Sequence, residues 1–206
     1  MSSSRYQAWL VDLDGTLYAP LLVKFAMTGE LLVGGWGAIG TLRRFRLEHE
    51  RLRHEQAAGL EGQGDDPFTS QLRRTAEALA LEATVVEARV REWMFERPGK
   101  WLRRARRTAL LEEIAAFRAK GGRTALVSDY PARDKLRALG AESLFEVVVA
   151  SGEANGPSRL KPHPQGYLRA AELLGVAPEH CLVIGDRDDA DGGAAQAANM
   201  AFRRIG

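Results

Sequence analysis

Two aspartates stand two residues apart, Asp12 and Asp14, where the apolar run Ala8-Trp-Leu-Val11 gives way to Gly15. Four more, Asp186, Asp188, Asp189 and Asp191, crowd the segment that follows a second apolar run, 181–185. Carboxylates can attack an electrophile, carry protons or hold a cation. Packed this densely they are costly unless positive charge is close, and oxygen donors suit a divalent ion. Ser128 and Asp129 close a third apolar run, 123–128, and Lys161 sits in the loop Arg159-Leu-Lys-Pro-His-Pro164. A lone aspartate at such a place commonly caps the next helix. Polar groups at four separate segment ends point instead to one shared site.

The elements that must position these groups alternate. Short apolar runs at 8–14, 123–128, 146–150 and 181–185 read as buried parallel strands. Between them, 108–120, 132–139 and 164–174 carry helical patterns, with Pro131 before one and Gly140 and Gly175 after their ends. The fold class this implies is α/β, a Rossmann-like parallel sheet, in which ligands bind at the carboxyl ends of the strands. The stretch 19–98 breaks the alternation. It offers helices over 41–58, 69–81 and 84–96, with a loop at 62–67, and reads as an all-helical insertion. The expected division is therefore 1–18 and 99–206 as a catalytic core and 19–98 as a helical cap.

The set Asp12-Leu-Asp-Gly-Thr16, Ser128, Lys161 and Gly185-Asp-Arg-Asp-Asp-Ala-Asp191, in that order, resembles the four motifs of the haloacid dehalogenase superfamily, whose members are mostly phosphatases. The resemblance implies a magnesium ion (Mg2+) held by Asp12, Asp14 through its backbone carbonyl, Asp186 and Asp191, with Asp189 as an alternative and Asp188 as a surface charge. It implies that Asp12 attacks phosphorus to form an aspartyl-phosphate and that Asp14 protonates the leaving group and then activates water. Lys161 and Ser128 complete the catalytic set, and Leu13, Thr16 and Asp129 join the phosphate-binding group. Asp14 favours phosphate chemistry over dehalogenation, because a halide leaves without a proton. Asp129 departs from the asparagine common after the second motif; it is expected to turn away, to cap the helix after Pro131 or to meet a polar part of the substrate.

The expected activity is hydrolysis of a small phosphorylated metabolite beneath a mobile cap. A phosphomutase of the same superfamily, or a non-catalytic protein that binds through its arginine-rich cap, are the alternatives. Composition narrows the field: 29 basic against 27 acidic residues in 206 gives a formal charge of +2, with 45% hydrophobic residues and a single Cys181. These values describe an ordinary folded domain without a disulfide framework or a cysteine-based zinc module. No stretch suits a membrane span or a signal peptide, so a cytoplasmic location is expected. Arg43, Arg44, Arg46, Arg51 and Arg53 alternate with Glu48, Glu50 and Glu55 and read as a salt-bridged face rather than a nucleic-acid surface. Gly35-Trp-Gly-Ala-Ile-Gly40 matches a dinucleotide fingerprint without the strand that motif requires, and is expected as a turn. Trp36, Trp93 and Trp101 are expected in the core, Lys24 and Phe25 on the cap surface or core, and oligomeric state is left open.

Overall fold

The computed structural model describes residues 5–60 and 66–206. Residues 62–65 of the expected inter-helix loop lie outside that range. Five strands form one parallel sheet: β1 Ala8–Val11, β2 Arg123–Ser128, β3 Val147–Ala150, β4 Cys181–Gly185 and β5 Ala201–Arg204, in the order β3-β2-β1-β4-β5. Central β1, β2 and β4 are fully or almost fully buried, as their continuous apolar sequences require. β5 was not expected from its sequence. It is one of the two edge strands, and Ala-Phe-Arg-Arg keeps its arginines partly in water.

Nine helices accompany the sheet among the described residues. Five lie between residues 20 and 105: α1 Pro20–Gly34, α2 Trp36–Ala57, α3 Pro67–Leu79, α4 Ala83–Val90 with a π-helical extension Arg91–Glu96, and α5 Gly99–Ala105. The others are α6 Thr108–Ala119, α7 Arg133–Leu139, α8 Gln165–Leu174 and α9 Gly193–Ala197. The start of α3 shows how the sequence sets a boundary. The Asp66 side chain accepts from the Phe68 and Thr69 amides, and Pro67 supplies a fixed φ in the first turn. Residues 35–40, expected as a turn, instead open α2, with the break between helices at Gly35. α1 was also unforeseen.

Alternation along the strands sorts the core into two layers. Ala8 and Leu10 of β1 pack with Tyr167, Ala170 and Leu174 of α8 and with Ala194 and Ala195 of α9. Trp9 and Val11 face the other layer, where Trp9 stacks on Phe117 at 4.2 Å. That layer continues into the helices before β2 through Phe45, Phe68, Trp93 and Phe95. Polar contacts fasten the same helices down. Gln56 donates to the Ser158 carbonyl (3.1 Å) and accepts from the Leu160 amide (2.8 Å), so the end of α2 grips the loop that carries Lys161. No helix of the described residues is long and apolar enough to cross a membrane.

Candidate active site

Register brings the motif-bearing ends together. Val11 pairs with Leu126 on one side and Ile184 on the other, and the Asp12 amide extends the ladder by donating to the Ile184 carbonyl at 2.8 Å. Asp12, Ser128 and Asp186 therefore leave three adjacent strands at one edge of the sheet.

Asp12 is 6% exposed and Lys161 5%. The Lys161 Nζ donates to Asp12 Oδ1 at 2.5 Å and to Asp191 Oδ1 at 2.8 Å. Asp191 also accepts from the Tyr167 hydroxyl (2.8 Å) and the Arg187 amide (3.2 Å), and Thr16 donates to Asp12 Oδ2 at 2.9 Å. One carboxylate oxygen from each of Asp12, Asp186 and Asp191 falls within 4.8 Å of the others. A single ammonium thus faces three carboxyl groups. Burial pushes the Asp12 carboxyl up to about 7 against the pull of Lys161, and Asp191 adds to the rise. Asp186 is raised by burial and by the same neighbour. Burial would lower the Lys161 ammonium, but Asp12, Tyr167 and Asp191 outweigh it and hold it well above the usual lysine range. The donor set is hard oxygen with excess negative charge, which fits a divalent cation such as Mg2+.

Two glycines make this crowding possible. Gly15 has φ +96, and a Cβ there would lie 2.1 Å from Asp186 Oδ2. A Cβ on Gly185 would lie 2.4 Å from Asp191 Oδ2. Each glycine leaves room for a carboxylate of the cluster.

The Asp14 side chain stands apart from the cluster, which leaves open the metal contact expected of this residue through its backbone carbonyl. Its carboxylate is not in the three-oxygen group; it accepts from Lys135 Nζ at 2.6 and 2.8 Å and from the Tyr18 hydroxyl. Burial raises its pKa, but the Lys135 charge and hydrogen bonds with Tyr18 bring the net direction down, so the group is held ionised. Only its backbone carbonyl is left for a cation. Leu13 is wholly buried in the apolar core, so its side chain takes no part in binding phosphate. Ser128 is 2% exposed and its Oγ accepts from the Tyr130 amide at 3.2 Å. Asp129 neither turns away nor caps α7: its Oδ1 accepts from the Lys161 amide at 3.2 Å and so steadies the lysine loop. Asp188 pairs with Arg204, and Asp189 with Arg187 and Arg53, leaving neither in the cluster.

Sequence reasoning missed Lys135, Tyr18 and Tyr167. Lys135 carries a faint signal, since it lies four residues before Leu139 and shares that buried face of α7. A cavity of about 500 Å3 opens beside Asp14, Gly15 and Asp186. Val23, Met27 and Leu31 of α1 and Trp93 form part of its apolar wall, while Arg46, His49 and Tyr130 face it from another side. Of its cationic lining, Lys135 is engaged by Asp14 and Arg187 by Asp189. Lys24 and Arg46 have no hydrogen-bonded or ion-paired side-chain partner among the described residues. Trp93 is buried as expected and Phe25, expected on the cap surface or in the core, is 76% exposed, whereas Trp36, expected in the core, is 67% exposed.

The chain is similar to several known proteins. The chain is 40% identical over 92 residues to a phosphoglycolate phosphatase of Nitrosococcus oceani, covering 43% of this chain and 39% of that one. It is 40% identical over 72 residues to a glyceraldehyde 3-phosphate phosphatase of Methanopyrus kandleri, covering 35% and 30%. The matched segments thus span about a third of those relatives' lengths. Among solved structures, YfnB of Bacillus subtilis, a HAD-hydrolase bound to magnesium, superposes with a TM-score of 0.65 at 16% identity over 98% of this chain and 89% of that one. The family model for haloacid dehalogenase-like hydrolases matches residues 6–199. With that match across β1 to β4, the acidic cluster and the helices between them, the chain belongs to the haloacid dehalogenase-like hydrolase family.

Proposed function

We propose that the chain is a magnesium-dependent phosphatase that hydrolyses a small phosphorylated metabolite through an aspartyl-phosphate on Asp12. The observation that carries this reading is the shared lysine: Lys161 bridges Asp12 and Asp191 at 2.5 and 2.8 Å beside a half-buried Asp186. Such a cluster screens an anionic substrate from an anionic nucleophile. A Mg2+ ion held by Asp12, Asp186 and Asp191, with the Asp14 carbonyl, would supply charge neutralisation for the phosphoryl oxygens.

The chain's own residues supply the rest. An Asp12 carboxylate oxygen attacks phosphorus, the bond to the ester oxygen breaks, and that oxygen takes a proton from Asp14. Water then gives a proton to Asp14 and attacks the same phosphorus, which returns the Asp12 carboxylate and releases inorganic phosphate. Lys135 and Tyr18 favour the ionised Asp14 that the second step needs. The first step requires a proton on Asp14, so the pair with Lys135 loosens as the leaving oxygen takes its place. Thr16 orients Asp12, and the Ser128 hydroxyl with the Leu13 and Asp129 amides lies at the edge where the phosphoryl group docks.

The helices 19–98 form the cap over this core. Lys24 and Arg46 in the cavity suit a leaving group that itself carries an anion or several oxygens, in keeping with the phosphoglycolate and glyceraldehyde 3-phosphate named for the two relatives. The test is hydrolysis of those two esters and of an aryl phosphate, with Mg2+ and with EDTA. Turnover should stop with EDTA and with Asp12→Asn. Activity that survives either treatment refutes the mechanism.

A further inference from the structure

α1 is apolar on every side. Its fifteen residues, Pro-Leu-Leu-Val-Lys-Phe-Ala-Met-Thr-Gly-Glu-Leu-Leu-Val-Gly, include one lysine and one glutamate. A helix of that composition is normally covered all round. Here one side is covered: Val23 and Met27 are buried, and with Leu31 they wall the cavity. The opposite side faces water. Leu21 is 66% exposed, Leu22 45%, Phe25 76%, Leu32 51% and Val33 88%, and Trp36 follows just beyond the helix end at 67%. At 3.6 residues per turn the five exposed positions of α1, with Thr28 and Gly29, fall within one arc of about 140° that contains no charge, and Trp36 opens α2 just past the break at Gly35. Thr28 spends its hydroxyl on the Lys24 carbonyl at 2.8 Å, and Glu30 lies outside the arc, bound to Trp101 Nε1 at 2.7 Å.

The exposed area is large. At about 150–250 Å2 for a full aromatic side chain and somewhat less for an aliphatic one, the six together present roughly 700 Å2. A typical monomer's largest apolar patch is about 300–600 Å2, and a stable interface takes about 800 Å2 from each partner.

We propose that this face of α1 is the interface of a homodimer, in which α1 packs antiparallel against α1 of a second copy across a two-fold axis at Gly29. The occupant is a second copy because the stripe is self-complementary and carries no charge for another partner to match. Gly29 lies at its middle, and a Cβ there would meet nothing within 4 Å, so two backbones can approach closely. Around that axis Phe25 faces Val33 of the second copy, one pair on each side of Gly29. Because the inner side of α1 is cavity wall, the contact would also brace that wall.

The register gives a sharp test with the full chain. Sedimentation should show a dimer for the wild type, and Phe25→Lys or Val33→Glu alone should raise its dissociation constant at least about 100-fold by placing an unpaired charge in the seam. Mixed together, the two variants should form a heterodimer, because Lys at 25 then meets Glu at 33. Both sites are exposed, and each variant should keep the wild-type circular dichroism spectrum and unfold cooperatively as a monomer, at a somewhat lower temperature because association no longer adds to its stability. A wild type that stays monomeric at about 100 μM overturns the proposal, as does a dimer indifferent to both substitutions. It is equally overturned if the folded variants stay monomeric when mixed, or if monomeric wild type co-sediments with anionic phospholipid vesicles, which would assign the face to a lipid surface.

Discussion

Lys135→Met should weaken the fold and blunt the chemistry in a linked, measurable way. The lysine side chain is 6% exposed and that of its partner Asp14 32%, at 2.6 Å. Breaking a fully buried pair by removing one partner costs about 3–5 kcal/mol, because the other charge is stranded. Water reaches a third of Asp14 and Tyr18 still donates to it, which brings the expected cost to about 2–3 kcal/mol. For a chain of this length that lowers Tm by roughly 5–10 °C. Urea denaturation of Lys135→Met, Asp14→Asn and the double variant closes the cycle. Once Asp14 is neutral, losing Lys135 should cost about 1 kcal/mol or less, so the coupling energy should be near 2 kcal/mol. The catalytic arm compares an aryl phosphate, whose leaving group needs little help from an acid, with an alkyl phosphate, which does. Lys135→Met should slow the alkyl ester by at least about 10-fold more than the aryl ester, since a misplaced Asp14 matters most where a proton must be delivered. Additive stabilities, or equal slowing of both esters, would refute the assigned role of this pair.

Two further perturbations test the site and its surroundings. Gly185→Ala puts a methyl 2.4 Å from Asp191 Oδ2 and should displace that carboxylate, costing about 1–3 kcal/mol and weakening Mg2+ binding measured by calorimetry; an unchanged affinity would mean that Asp191 is not a ligand. His49 lies stacked on Tyr130 at 4.6 Å with Nδ1 3.4 Å from Gln71 Oε1. Burial holds its pKa below the ordinary 6.5, while Asp129 and Gln71 partly oppose the shift. The folded state therefore binds fewer protons than the unfolded one below that pH. Stability from a neutral His49 is whole above pH 6.5 and falls as pH drops toward the folded value, by at most about 1.4 kcal/mol per pH unit. His49→Gln should flatten the urea midpoint between pH 6.5 and 5, and an unaltered slope would contradict the assignment.

Much of the site could be read from the chain because its physics is local. A buried parallel strand demands an unbroken apolar run, and a polar residue ending it is conspicuous, so Asp12, Ser128 and Asp186 stood out at the ends of β1, β2 and β4. Lys161 was legible only by resemblance to a family, since nothing around it announces that its ammonium crosses to Asp12. Lys135 and Tyr18 were missed because their significance lies in a carboxylate 121 and 4 residues away, respectively. A lysine flanked by Asp134 and Arg137 looks solvated until α7 is docked. Asp129 was misjudged for a related reason: its partner is a backbone amide in a distant loop. β5 escaped notice because an edge strand can end in two adjacent arginines without an apolar run or an alternation, and α1 because an apolar stretch ending at Gly34 and Gly35 gives no helical period.

The central position of β1 bears on how the chain is made. Its ladders need Arg123–Leu126 on one side and Cys181–Ile184 on the other. During synthesis this apolar segment leaves the ribosome before the other four strands and stays unpaired on both edges until the residues that flank it have followed. An interrupted chain ending before residue 181 would hold Asp12 yet lack Asp186 and Asp191 altogether. It would be catalytically silent while exposing an unsatisfied apolar edge, the kind of intermediate that aggregates or engages chaperones. Activity and solubility would thus arrive together, with the docking of β4.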